Sequence, residues 1–190
     1  MEEETPELIL DFISSKLGTS DIKFLGIHLG LDSNDLETIS CDYKNTHEVK
    51  FQTLWKWYSK TDSSSYIERL TSALISIENR LAADELNSLD VKQLYFKGEI
   101  PIPSKRISDK DLDFLSAQVV TDYQRIARFL GMRQDKLHTY HEKYVKDQAL
   151  RCLKGCNKMD AVSRKSMCHA LNYAERQNLV HQLVNSWNKK

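Results

Sequence analysis

Apolar positions recur along the chain at intervals of three and four residues, the spacing of one face of a helix. In the second half, Leu112, Leu115 and Val119 make one such stripe, with Ser108 placed to cap it, and the helix runs to about Val120. Tyr123, Ile126, Ala127 and Leu130 make the next after Thr121 or Asp122, and Gly131 stands where a left-handed residue ends a helix. Leu137, Tyr140 and Tyr144 predict a third helix; Leu150, Leu153 and Cys156 predict a fourth, closing near 155–157. Two more are predicted over Ser163–Ala174 and Asn178–Trp187. The first half repeats the plan: helices are predicted over Pro6–Leu17, Asp21–Leu29, Ser33–Tyr43, His47–Tyr58, Ser64–Ile77 and Asn79–Leu86.

The two halves align as an internal repeat. Leu10-Asp11-Phe12-Ile13-Ser14 falls opposite Leu112-Asp113-Phe114-Leu115-Ser116, and Phe24 to Leu31 falls opposite Arg125 to Met132. Further on, Phe51, Leu54 and Trp57 face Leu150, Leu153 and Cys156, and Leu70, Ala73, Leu74 and Glu78 face Met167, Ala170, Leu171 and Glu175. A period of about half the chain means two similar domains rather than a solenoid. Between them, Pro101 and Pro103 block helix continuation. The expected organisation is all-α: two six-helix antiparallel bundles in tandem, over 1–87 and 109–190, joined by a linker at 88–108.

Composition narrows the function. The chain has 190 residues with only six Gly and three Pro, which suits helices. Charge interrupts every apolar stretch well short of a membrane span, the N-terminus is acidic, and four cysteines read as reduced thiols, so a cytoplasmic setting is expected. No nucleophile elbow, phosphate-cradling glycine loop or metalloprotease helix is present, and catalysis is not expected. Cys152, Cys156, Cys168, His169, His138 and His141 lack the spacing of a zinc finger, so neither a metal nor a cofactor is expected. Cys156 takes a core position instead.

Net charge is zero overall but divided. Residues 1–87 hold eight Lys and Arg against sixteen Asp and Glu, a formal −8; residues 88–190 hold nineteen against eleven, a formal +8. Opposite fields of that size steer association, within a chain or head-to-tail between chains.

The string Tyr123-Gln124-Arg125-Ile126-Ala127-Arg128-Phe129-Leu130-Gly131-Met132, with Leu137 and Tyr144 after it, resembles the helix-two to helix-three signature of death domains. Ala170 to Val180 resembles the close of that family, and Leu54-Trp55-Lys56-Trp57 resembles its fourth helix, where the second copy has Cys156. The second copy carries the fuller resemblance; the first lacks the Arg-x-Asp-Leu-Leu signature of death-effector domains, so a death domain is preferred there, with a divergent death-effector domain as the alternative.

The layout is similar to that of the Fas-associated death-domain adaptor. It implies a signalling adaptor, in apoptosis or innate immunity, that recruits death-domain receptors, adaptors or kinases, or a decoy that blocks them. The family assembles through patches of opposite charge. By resemblance these are Arg125, Arg128, Arg133, Lys136, Arg151 and Lys154 on the basic copy, and Asp32, Asp35, Glu37, Asp42 and Glu48 on the acidic one. Trp55, off the core stripe, is a candidate interface anchor. The rival reading, a nucleic-acid-binding helix-turn-helix over Ile126 to Leu137, does not explain why an acidic copy repeats the pattern, because that copy would repel phosphates.

Overall fold

The computed structural model describes residues 6–62, 64–94, 102, 105–140, 144–160 and 162–188. It divides into two compact units, Met1–Val91 and Lys92–Lys190. Among the described residues the regular elements are helices, and one isolated antiparallel bridge joins Arg106 and Ser163.

The first unit holds α1 (Pro6–Lys16), α2 (Asp21–His28), α3 (Ser33–Asp42), α4 (Thr46–Tyr58), α5 (Tyr66–Ser76) and α6 (Arg80–Asn87). A single turn, α7 (Val91–Leu94), follows at the division. Helix α4 is central: Phe51, Leu54 and Trp57 are buried against Leu10 and Ile13 of α1 and Leu25 of α2. Leu70 and Leu74 of α5 complete the core, with Ala82, Ala83 and Leu86 beneath them on α6. Each fully buried Leu, Ile or Phe among them contributes about 1.5–3 kcal/mol of transfer free energy. Side-chain caps fix the helix starts: the backbone N–H groups of Asp35, Glu48 and Ala82 donate to Asp32, Asn45 and Asn79 at 2.7, 3.1 and 3.2 Å. Removing such a cap typically costs about 1 kcal/mol.

The second unit holds α8 (Asp109–Gln118), α9 (Tyr123–Phe129), α10 (Gln134–Leu137), α11 (Val145–Met159), α12 (Arg164–Tyr173) and α13 (Gln177–Asn188). Ser108 and Asp111 form a reciprocal capping box on α8. Helix α11 packs on α8 and α9, and α12 packs on α9 and α13, around Leu112, Leu115, Ile126, Leu153, Met167 and Leu171. The Arg176 guanidinium holds the Asp122 carboxylate, tying the turn before α13 to the start of α9.

Helix ends recur between the units. Gly30 and Gly131 both have positive φ, +87° and +85°. In each case the following N–H reaches back five residues, Leu31 to the Gly26 carbonyl and Met132 to the Ala127 carbonyl, both at 2.9 Å. This is the Schellman end that Gly131 predicts from sequence.

Three expectations need correction. The third helix of the second copy is one turn long: Tyr140 lies beyond it, with its carbonyl accepting from the Gln148 side chain at 2.6 Å, and Tyr144 is the exposed N-cap residue of α11. The fourth helix runs to Met159, past the expected end. The linker is shorter than 88–108 at its C-terminal end, because 105–107 is built into the second unit. There the Ile107 N–H donates to the Val162 carbonyl at 2.9 Å and the Arg164 N–H to the Lys105 carbonyl at 2.8 Å. The Arg106 guanidinium grips Asn157, and Ile107 is buried. Pro101 and Pro103 lie outside the described residues.

Candidate protein-interaction surfaces

The expected basic residues fall into two groups. Arg125 and Arg128 lie on α9, which is packed between α11 and α12; Arg128 is buried and Arg125 half-buried. The Arg125 guanidinium sits 4.8 Å over the Tyr173 ring and 3.5 Å from the Glu175 carboxylate. Arg128 is only 2 % exposed. Its Nε donates to the Gln134 side-chain oxygen at 3.0 Å, and the Gln134 amide nitrogen lies 2.9 Å from His138 Nε2. A charge desolvated in this way is retained by its hydrogen bonds. Arg128 serves the second unit's internal structure, which corrects its expected placement on an exposed face, and Arg125 is half-withdrawn against Tyr173.

Arg133, Lys136 and Arg151 are exposed and Lys154 is half-buried. Arg151 and Lys154 share a helix face with Lys158, one turn further on and exposed. Lys136 Nζ reaches Met159 Sδ at 3.6 Å, which brings α10 against the end of α11. The basic surface of this unit is therefore the stripe Arg151, Lys154 and Lys158 with Lys136 at its end. Lys158 is absent from the sequence-based set because the fourth helix was expected to stop before it; the i, i+3, i+7 spacing from Arg151 is the signal that finds it.

The acidic residues divide too. Glu37 and Asp42 are exposed on α3, and Asp32, also exposed, caps that helix. Asp35 is held by Lys60 at 2.7 Å and Lys56 at 3.5 Å. The hydrogen bond from Lys60 lowers its pKa below the usual carboxylate value, and most of its charge is matched locally. Glu48 is 4 % exposed and accepts from the Gln52 amide at 2.6 Å, so it is not on the surface, contrary to expectation. The outward acidic face is Asp32, Glu37 and Asp42.

Trp55 is half-buried within a row of rings, with centroids 6.0 Å from Phe51 and 5.3 Å from Tyr58, and Tyr66 follows 5.1 Å beyond Tyr58. Cys152, Cys156 and Cys168 are buried and Cys41 is exposed, all as free thiols. Burial pushes the Cys168 thiol up to about 11. Among the described residues no group of three or more His, Cys, Asp and Glu is placed to hold a metal ion; His141 lies outside them. No helix of the described residues is long and apolar enough to cross a membrane.

Residues 10–89 match the family model of the death domain, and the first unit contains a death-fold domain. Domains of this family are protein-interaction modules that bind other death-domain proteins homotypically and are generally not enzymes. The match falls on the first copy, whereas the sequence motifs favoured the second. The difference has a structural counterpart: the first copy keeps Trp57 buried on its central helix, while the second has the much smaller Cys156 there and a one-turn α10. Comparison with curated proteins and with solved structures gives no significant match.

Proposed function

We propose that the chain is a cytosolic signalling adaptor with two death-fold units, recruiting death-domain proteins into homotypic assemblies in apoptotic or innate-immune signalling. The observation that carries this reading is the death-domain match over residues 10–89. Extension to the second unit is supported by the aligned core positions and by helix ends that recur at Gly30 and Gly131. Adaptor function is supported by surfaces of opposite sign. Asp32, Glu37 and Asp42 suit a basic partner; Lys136, Arg151, Lys154 and Lys158 suit an acidic one, including the acidic unit of a second chain.

Affinity capture of isolated death domains by the full chain at low salt tests the reading. Capture of at least one, lost in an Arg151→Glu, Lys154→Glu, Lys158→Glu triple variant of unchanged melting temperature, is the expected result. Failure to retain any death domain overturns it, and undiminished capture by the triple variant removes the basic stripe from it.

A further inference from the structure

We infer that the first unit carries a second, largely apolar contact through which it docks head-to-tail on the first unit of another copy of this chain. This rests on the reading of that unit as a homotypic assembly module. The positions aligned with Arg125 and Arg128 are Phe24 and Ile27 in the first copy. Where Arg128 is buried and Arg125 half-buried, Phe24 is 61 % and Ile27 51 % exposed, one turn apart on α2. Two large apolar side chains at that spacing form a ridge rather than scattered exposure.

The ridge borders a groove of about 360 Å³ between α2 and α5. His28, next to Ile27, and Leu29 form one wall, and Glu68, Arg69, Ser72 and Ser76 form the other. The Arg69 guanidinium lies 5.8 Å over the Trp57 ring, anchored by an aromatic face, and Lys23 is exposed one residue before Phe24. In a unit with a formal −8, this face pairs apolar bulk with two cations, Lys23 and Arg69, against one exposed carboxylate, Glu68.

The complementary face is on the same unit. Leu81, at the start of α6, is 71 % exposed. Asp84 is exposed one turn along the same helix face, and Glu78 is exposed at the turn that precedes it. Arg80 is exposed beside Leu81, but the two carboxylates outweigh it, and an apolar side chain with a net negative rim matches a ridge flanked by Lys23 and Arg69 in both character and sign. Leu81 of one copy would pack against Phe24 and Ile27 of the next, with Glu78 and Asp84 facing Arg69 and Lys23. The two faces are different, so the contact is heterologous and propagates from copy to copy.

Sedimentation velocity of the full chain in ~1 M salt, where the Debye length is about 3 Å, suppresses contacts made by charge alone and leaves this one. Wild type should self-associate there. A Phe24→Ser, Ile27→Ser double variant and a Leu81→Ser variant, each folded by circular dichroism, should weaken association by about tenfold or more. Mixed together, they should form a dimer that grows no further, since each retains one intact half. A monomeric wild type, unchanged association in either variant, or no dimer on mixing overturns the inference. The triple reversal on α11 leaves this association unchanged, so its failure and that of the charge-based reading are told apart.

Discussion

Glu78 and Glu175 hold the same left-handed backbone position in the two units, with φ of 63° and 61°. Each ends the fifth of the unit's six aligned helices. The N–H after each reaches back five residues, Asn79 to the Leu74 carbonyl at 3.0 Å and Arg176 to the Leu171 carbonyl at 2.8 Å. A non-glycine residue costs about 1–2 kcal/mol in this conformation. Glu78→Gly and Glu175→Gly should therefore each stabilise their own unit, by about 0.5–1 kcal/mol after the added chain entropy of glycine. Gly30→Ala and Gly131→Ala should do the reverse. A Cβ at either glycine meets nothing within 4 Å, so the loss there is conformational. Urea denaturation of the four variants, followed by circular dichroism, reads the opposite signs.

Arg128→Ala should destabilise the second unit by about 2–3 kcal/mol, because Gln134, itself 0 % exposed, loses its buried donor. Arg133→Ala, at an exposed position paired loosely with Asp135 at 3.4 Å, should change stability by less than about 0.5 kcal/mol. Equal losses in thermal melts would show that Arg128 is not structural.

The second unit should weaken in alkali. Burial raises the Cys168 thiol from 9.0 to about 11 in the folded chain, so the unfolded chain releases this proton first. Stability from this group is fully present below the unfolded value and falls as pH rises from 9.0 to about 11, by about 2–3 kcal/mol. Burial raises Tyr140 in the same sense, and it adds to the loss at higher pH. Cys152, raised well above its ordinary value by its contact with Cys156 and by burial, acts in the same sense, so Cys168→Ala should lessen the slope over that window without abolishing it; a slope as steep as wild type would mean Cys168 does not contribute.

Gly155→Ala should disturb the packing between α11 and the segment after α10. A Cβ there would stand 2.2 Å from the Tyr140 hydroxyl and 2.8 Å from its ring carbon Cζ, so the ring must move. The expected cost is about 1–3 kcal/mol, with Tyr140 titrating closer to its ordinary value by ultraviolet absorbance. Tyr140→Phe should recover only part of it, since Cζ remains in the way.

Helix positions were largely legible because the apolar spacing matches packed faces: every helix predicted in the first copy lies within about two residues of one observed. The third helix of the second copy misled because Leu137, Tyr140 and Tyr144 keep helical spacing while belonging to a one-turn helix, a loop and the next helix's cap. The site was less legible. Arg128 and Glu48 look like surface charges in sequence, and what makes their burial tolerable is a glutamine close by in the chain, Gln134 beyond the Gly131 turn and Gln52 one turn along α4. Sequence marks a charge but not the partner that makes its burial tolerable. Phe24 and Ile27, aligned with Arg125 and Arg128, are exposed, and no apolar stripe in the sequence marks them as such.

The clasp at 105–107 has a mechanical consequence. Tension arriving from the N-terminal side of the second unit meets two backbone hydrogen bonds and the Arg106 grip on Asn157 before it reaches α8. The load passes sideways into the turn between α11 and α12, and α8 begins to carry it only after the clasp has opened.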